Sequence, residues 1–286
     1  MPPSDLHQHR SPLSRGFSAL KYLSPKQLLN WRRYGFLVLP GFFDEERIAA
    51  ANLELDTLWA ERSKDDIPLV IDVYSDPPTR KFLRDATDED RECVYKLNDV
   101  YLESDLTKSL ALDAKLSAIL NSLVDGPPII CNSLHFERGS QQQLHFDTYY
   151  MPPPPNSRLI VTSICLEDVH PDAGPVVYVR GSHKMPPFLG PRGNRTVVGQ
   201  EELAEATNYA HSNLDVEGNK ETFLGKSGDV LIWHEQLFHG GSPIIDHNRT
   251  RRSLVTHYFR AEPNLDDTMT AFGDGYWLDK QHPTVG

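Results

Sequence analysis

Hydrophobic and polar positions in the N-terminal part of the chain follow helical spacing. Ser24 and Pro25 are suited to be the N-cap and the first position of a short amphipathic helix that ends at Gly35. The run FLVLPGF then predicts a short buried strand, and Asp44 predicts the cap of a longer helix. We expect a third helix over roughly residues 105–124, where leucines recur.

The pattern changes at about residue 127, where short runs rich in Val, Ile, Thr, Tyr and Phe alternate with Pro and Gly. The runs are PIICNSLHFER, LHFDTYYM, RLIVTSICLEDV, GPVVYVRGSH, DVLIWHEQLF and RRSLVTHYF. They predict a mainly β fold with flanking helices and a double-stranded β-helix core, the jelly-roll of cupin-like proteins. Residues 184–221 are polar and less regular, which predicts a lid-like insertion.

This pattern predicts one domain over residues 21–286, with a helical N-terminal part at 21–126. Residues 1–20 are expected to be a disordered tail. They lack the long apolar run of a signal peptide, and no stretch approaches the 18 apolar residues that a membrane span needs. We therefore expect neither secretion nor membrane insertion.

Composition narrows the classes of partner. Lys plus Arg number 29 and Asp plus Glu number 40, a net charge of −11, which argues against nucleic acid because phosphate binding needs a basic face. The three cysteines form no CxxC pair, which favours a reducing cytoplasmic location. We expect a monomer or homodimer that acts on a small molecule.

The stretch QQLHFDTYY contains the first candidate for chemistry. On a strand, His145 and Asp147 would point to the same face, because side chains alternate. A second histidine would complete a 2-His-1-carboxylate metal site with open positions for substrate and O₂. The pair His135 and Glu137 has the same spacing and stays open as an alternative.

The third metal ligand has several candidates, of which His239 has the most suggestive setting. It follows the apolar run DVLIW and precedes two glycines, which allow close approach of backbone or ligand. Arg251 or Arg252, at the start of the next predicted strand, could bind a cosubstrate carboxylate through two parallel hydrogen bonds. The other histidines considered are His183, His234, His247 and His257.

Taken together, these motifs resemble the phytanoyl-CoA dioxygenase (PhyH) family of Fe(II)- and 2-oxoglutarate-dependent oxygenases. The resemblance covers roughly residues 24–260. It rests on LSPKQLLNWRRYGFLVLPGFFDEERI, VYKLNDVYL, LHFERGSQQQLHFDTYY, LEDVHPDAGPVVYVRGSHK and GDVLIWHEQLFHGGS, which occur in the family's order. It implies Fe(II) as the metal, 2-oxoglutarate as cosubstrate and O₂ as oxidant, with His145, Asp147 and His239 as catalytic iron ligands.

The resemblance also implies which other residues form the site. Arg251, from RRSL, would bind 2-oxoglutarate; Arg252 remains an alternative because the separation of 12 residues from His239 is one more than expected. Further candidates for cosubstrate binding are Lys96, Ser242, Ser133 and Ser163. Candidates for substrate binding, next to the ligand pair, are Gln142, Tyr149, Tyr150 and Arg138.

The reaction implied is oxidation of a small-molecule metabolite, hydroxylation above all, with release of succinate and CO₂. Asp147 favours hydroxylation, desaturation, cyclisation or epoxidation over halogenation, because related halogenases carry a small residue at that position. An intermediate of secondary metabolism is favoured over an acyl-CoA, since no basic cluster marks a CoA phosphate site. The alternative is a non-oxidative, cupin-like metal-binding protein or an isomerase on the same barrel.

Overall fold

The structure is a computed structural model that describes residues 21–64, 68–155, 157–261 and 268–285. The expected disordered tail at 1–20 lies outside the described residues.

Helix α1 (Pro25–Tyr34) begins and ends as predicted. The Ser24 hydroxyl accepts a hydrogen bond from the Gln27 backbone, and the Gln27 side chain accepts one from the Ser24 backbone, which makes a capping box. Gly35 follows in the left-handed conformation, with φ of 83°. Helix α2 (Glu45–Glu61) is capped by Asp44, whose carboxylate accepts from the Arg47 backbone.

After the short helix α3 (Asp88–Glu92), the predicted third helix is two helices. Helix α4 (Asp105–Ala111) ends before Asp113, which caps α5 (Ala114–Val124) by accepting from two backbone amides. The prediction of a single helix is therefore wrong, because an internal N-cap interrupts a continuous hydrophobic period.

Thirteen strands lie in the described part of the chain. They are β1 (Phe36–Leu39), β2 (Val70–Val73), β3 (Thr79–Phe82), β4 (Tyr95–Asn98), β5 (Pro128–Phe136), β6 (Leu159–Cys165), β7 (Val176–Val179), β8 (Lys220–Thr222), β9 (Val230–His234), β10 (His239–Gly241), β11 (Ser253–Arg260), β12 (Met269–Phe272) and β13 (Gly275–Leu278).

The strands form two sheets, which confirms the mainly β jelly-roll with flanking helices. The major sheet has the order β1-β9-β6-β11-β5-β4-β2-β3, and the β12–β13 hairpin joins it through β5. The minor sheet has the order β10-β7-β8. Each of these pairings is antiparallel except that of β13 with β5, and the described sheets do not close into a barrel.

The central strands of the major sheet are buried on both faces, which explains their nearly continuous hydrophobic runs. Ile160 and Leu254 belong to the core shared with the helices, whereas Val161 and Val255 belong to the core shared with Tyr178 of the minor sheet. The site described below lies on the second of these faces.

The insertion at 184–221 is more regular than predicted, because it contains helices α6 (Gly199–Asn213) and α7 (Val216–Asn219). Ala206 and Ala210 of α6 belong to one hydrophobic cluster with Phe146 and Phe238. These two phenylalanines neighbour the predicted metal ligands in sequence. Helix α6 of the insertion therefore packs against the segments that carry those ligands. Within the described residues, no helix is both long and apolar enough to span a bilayer.

Candidate active site

The segment that carries His145 and Asp147 is not the strand we predicted. His145 makes a single antiparallel bridge to His239, and Asp147 begins a short 3-10 turn that ends at Tyr149. Phe146 points to the opposite side and packs on Phe238, with ring centroids 4.9 Å apart. The two ligands therefore share a side, as predicted, although the strand prediction itself is wrong.

Two glycines allow the chain to bring His145 beside His239. The two residues exchange backbone hydrogen bonds of 2.8 and 3.0 Å. A Cβ at Gly240 would lie 2.6 Å from the Gln142 carbonyl oxygen, and one at Gly241 would lie 2.7 Å from the Gln141 backbone nitrogen. Any larger residue would push these segments apart, which confirms the reason for the glycine pair given by the sequence.

His145, Asp147 and His239 form a compact, buried group of donors. One ligand atom from each lies within 4.8 Å of the others. His145 Nδ1 donates to the Gln143 carbonyl (2.8 Å) and His239 Nδ1 to the Leu237 carbonyl (2.9 Å). Because a carbonyl can only accept, each Nδ1 carries the proton and each Nε2 keeps a lone pair for a metal. The donor set fits Fe(II).

The protonation states also suit metal binding. Burial, reinforced by the neighbouring His239, lowers the pKa of His145 to about 4, so its imidazole is neutral at neutral pH. Burial by itself would raise the pKa of Asp147, but His239 and the hydrogen bond from His257 outweigh it and hold that pKa below its usual value. The site thus presents a neutral imidazole and a carboxylate.

Two residues that the sequence did not single out hold the Asp147 carboxylate. Trp233 Nε1 donates to Asp147 Oδ2 at 2.8 Å, and His257 Nε2 lies 3.5 Å from Oδ1. His257 had been only one of several histidines considered as a ligand. For Trp233, the available signal was its place on the buried face of the strand that precedes His239.

The rival pair His135 and Glu137 lies away from the site. His135 is buried on the face of β5 opposite to Leu134, which lines the cavity. Glu137 accepts hydrogen bonds from Arg91 and Arg252, and so belongs to an ion-pair network.

Two other candidate ligands, His183 and His234, have rings 5.3 Å apart beside α1, and His247 is exposed.

The three ligands open onto a cavity of about 400 Å³. Its wall combines apolar and polar side chains from the major sheet with residues of the ligand-bearing segments. They are Lys96, Asn98, Asn132, Leu134, Phe136, Ser140, Gln142, His145, Asp147, Tyr150, Met151, Val176, Trp233, His239, Gly240, Arg251, Val255 and His257.

The structure distinguishes the two arginines that the sequence left open. Arg251 lines the cavity, is 4% exposed, and its Nε has no hydrogen-bond partner among the described residues. Burial lowers its pKa to about 10, which leaves it charged at neutral pH. Arg252 instead pairs with Asp56 at 2.9 Å and with Glu137 at 2.7 Å. Of the two arginines, Arg251 is thus the one that an anionic ligand in the cavity could contact.

The remaining predicted contacts divide into two groups. Lys96, Gln142 and Tyr150 line the cavity, and their role in ligand binding stays a prediction. Five others are not among its lining residues: Ser133, Ser163, Ser242, Tyr149 and Arg138.

For four residues of the second group, the position explains this. Ser133 alternates with Asn132 and Leu134 on β5 and so faces away from the cavity. Ser163, by contrast, pairs with the cavity-lining Val255 and is buried beside it on the same side of the sheet. The remaining three donate to backbone carbonyls: Ser242 to Pro175, Tyr149 to Ala206 and Arg138 to His247. None of these five is among the lining residues of the described cavity, and their role in ligand binding stays a prediction.

Comparison with known proteins places these features in a family. The family model described as phytanoyl-CoA dioxygenase (PhyH) matches residues 31–253. The ectoine dioxygenase of Halomonas elongata is 26% identical over 244 residues, which cover 82% of this chain and 69% of that protein.

Two solved structures share the fold. The non-haem α-ketoglutarate-dependent carbocyclase SnoK from nogalamycin biosynthesis superposes with a TM-score of 0.63 at 16% identity, over 91% of this chain and 95% of that one. EctD from S. alaskensis with 2-oxoglutarate and 5-hydroxyectoine gives a TM-score of 0.61 at 20% identity, over 92% and 86% of the two chains. At these identities the likeness establishes the fold.

Proposed function

Because the chain belongs to the phytanoyl-CoA dioxygenase family, we propose that it is an Fe(II)- and 2-oxoglutarate-dependent dioxygenase that hydroxylates a small organic molecule. One observation carries this conclusion: a buried two-histidine, one-carboxylate cluster shares a cavity with the buried cation Arg251. The relatives named ectoine dioxygenase support a small-molecule substrate.

His145, Asp147 and His239 would hold the iron. When bound, the iron with 2-oxoglutarate and O₂ supplies the oxidising chemistry, and succinate and CO₂ are released. The three donors lie together on the cavity wall, so a metal held by them would be reached by ligands from the cavity. Trp233 and His257 orient the Asp147 carboxylate, and the packed Phe146 and Phe238 keep the ligand-bearing backbone in place.

Arg251 would bind the distal carboxylate of 2-oxoglutarate. Its guanidinium is 4% exposed, and no described residue accepts a hydrogen bond from its Nε, so a carboxylate in the cavity would satisfy this buried donor. The chain also retains a carboxylate at Asp147, so hydroxylation or a related oxidation of a C–H bond is proposed rather than halogenation.

Two further features belong to the same proposal. Cys93, Cys131 and Cys165 are all free, which favours a reducing, cytoplasmic compartment. A monomer or homodimer remains the predicted assembly state.

The test is succinate formation by the purified protein with Fe(II), 2-oxoglutarate and O₂, which we expect to proceed slowly even without the prime substrate. Arg251→Gln should raise the dissociation constant of 2-oxoglutarate by about 100-fold or more, because breaking a buried ion pair costs about 3–5 kcal/mol. Asp147→Ala should abolish succinate formation. Arg249→Gln, an exposed arginine of the same loop, is the matched control and should behave as wild type.

Absence of succinate from the iron-loaded wild type, or catalysis that continues without 2-oxoglutarate or O₂, would contradict the proposal. The second result would instead indicate a non-oxidative isomerase on the same fold.

A further inference from the structure

We propose that Glu167 is a positioning residue that holds Arg251 in the direction of the cavity. The inference rests on the proposed function, because it takes Arg251 as the residue that binds the distal carboxylate of 2-oxoglutarate. Glu167 lies two residues beyond the end of β6, in the run LEDV, and no sequence motif drew attention to it.

The Glu167 carboxylate holds the chain on both sides of Arg251. Its Oε2 accepts a hydrogen bond from the Thr250 hydroxyl at 3.0 Å, and its Oε1 accepts one from the Arg252 backbone N–H at 2.5 Å. These donors belong to the residues immediately before and after Arg251. One carboxylate therefore ties both flanks of Arg251 to the same point, which restricts rotation of the backbone that carries its side chain.

This support acts where the sheet itself gives little, because Arg251 and Arg252 precede β11. The Arg251 N–H donates to the Glu137 carbonyl at 2.8 Å, and the Arg252 carbonyl accepts from the Leu166 N–H at 3.0 Å. These contacts tie the pair to the chain just after β5 and just after β6. The Arg252 N–H has the Glu167 carboxylate as its acceptor, where a paired strand would offer a backbone carbonyl.

The Arg252 side chain is fixed on the other side of the chain. Its Nη2 donates to Asp56 at 2.9 Å and to Glu137 at 2.7 Å. Neighbouring residues of an extended chain point to opposite sides, so Arg252 held in this network leaves Arg251 directed into the cavity that it lines. Glu167 thus acts on the backbone of a pair whose second side chain is already anchored.

Glu167 also supports the charge of Arg251 without taking the place of a ligand. Glu167 is not among the residues that line the cavity. Burial lowers the pKa of Arg251, and the nearby negative charge of Glu167 opposes that shift. Because no described residue accepts a hydrogen bond from the Arg251 Nε, this donor remains for a carboxylate in the cavity.

An arginine held in its binding direction before the ligand arrives loses less conformational entropy on binding. We therefore expect Glu167 to raise the affinity for 2-oxoglutarate. The affinity for iron should not depend on it, because its hydrogen bonds among the described residues go to Thr250 and Arg252 and to none of the three metal ligands.

The experiment measures 2-oxoglutarate binding without turnover, by calorimetry of the anaerobic Fe(II) protein. Glu167→Ala removes both acceptors and should raise the dissociation constant of 2-oxoglutarate by about tenfold or more. Glu167→Gln keeps an oxygen for the Arg252 N–H and should bind nearly as wild type does. Competition with a chelator should give the wild-type iron affinity in both variants.

A double-mutant cycle tests whether Glu167 acts through Arg251. In the Arg251→Gln background, Glu167→Ala should cause no further loss of affinity, because the group that it positions is gone. In turnover, Glu167→Ala should raise the KM for 2-oxoglutarate, and the rate of succinate formation should return to the wild-type value at saturating 2-oxoglutarate.

Asp113→Ala is the matched control, because this carboxylate also joins separate parts of the chain. It accepts from the Leu116 backbone N–H at 3.2 Å and from Arg47 at 2.7 Å, and it does not line the cavity. The control should unfold at a lower temperature and keep the wild-type affinity for 2-oxoglutarate. Thr250→Val removes one of the two donors and carries the test if Glu167→Ala does not fold; it should weaken binding by about threefold.

The inference is overturned if folded Glu167→Ala, or Thr250→Val in its place, binds 2-oxoglutarate as wild type does. It is equally overturned if Asp113→Ala weakens binding as much, or if Glu167→Gln loses as much affinity as Glu167→Ala. Losses from Glu167→Ala and Arg251→Gln that add in the double variant would also overturn it. Failure of the wild type to bind 2-oxoglutarate at all would instead contradict the proposed function.

Discussion

The glycine that follows His239 offers a direct test of how the backbone assembles the metal site. Gly240→Ala would place a Cβ 2.6 Å from the Gln142 carbonyl oxygen, whereas ordinary contact begins at 3.4 Å. Relief of this clash requires the two segments to separate by 3.4 − 2.6 = 0.8 Å. The backbone hydrogen bonds between His145 and His239, now 2.8 and 3.0 Å, would lengthen beyond useful range.

The expected cost has two parts. Loss of two backbone hydrogen bonds should lower the free energy of unfolding by about 1–3 kcal/mol. The displacement also exceeds the tolerance of about 0.2 Å for metal–ligand distances, so the affinity for Fe(II) should fall by roughly 10- to 100-fold.

Anaerobic competition with a chelator measures the iron affinity, and urea unfolding of the apoprotein measures stability. Gly190→Ala is the matched control, because its Cβ would make only ordinary contacts, at 3.5 Å and beyond, and its backbone is not left-handed. Wild-type iron affinity in a folded Gly240→Ala protein would refute the argument that glycine is needed to bring the two histidines together.

Three further changes test other parts of the structure. Trp233→Phe keeps an aromatic side chain but removes the hydrogen bond to Asp147, and chelator competition should show an iron affinity roughly 10- to 100-fold weaker. A loss of less than about 10-fold would argue against an orienting role for Trp233. Burial lowers the pKa of His135 from 6.5 to about 4, so the unfolded state takes up a proton first and stability should fall as pH drops from about 6.5 towards 4. Urea titrations should assign roughly 3 kcal/mol of this loss to His135, and an unchanged pH slope in His135→Leu would argue against it. Tyr149→Phe removes a hydrogen bond to Ala206 and should cost about 1 kcal/mol of stability. The KM for the prime substrate should not change, whereas a large change would support the predicted role of Tyr149 in substrate binding.

Predictions that depended on near neighbours in sequence succeeded for the first two helices. The caps at Ser24 and Asp44 need only partners three residues away, so local chemistry determines them. The prediction of a single helix over 105–124 was wrong, because the hydrophobic period continues past Asp113 although Asp113 caps a new helix.

The β-branched and aromatic residues around Asp147 predicted a strand, and this prediction was wrong. There the chain finds no partner strand beyond the single bridge at His145, and it turns so that Phe146 reaches the cluster under α6. Tertiary packing outweighed local β propensity, which is weak when its neighbours are unknown.

The sequence by itself predicted the mainly β fold from its hydrophobic periods, and through its resemblance to the family it predicted His145, Asp147 and His239 as ligands, three residues that the structure brings together. Only the tertiary structure shows that Arg251 faces the cavity whereas Arg252 pairs with Asp56, which is 196 residues away along the chain. It alone also brought Trp233 and His257 to Asp147 and set Lys96 beside Asp72. The physical reason is that neighbours along a strand face opposite sides, and what each side contacts depends on strand order, which local patterns do not encode.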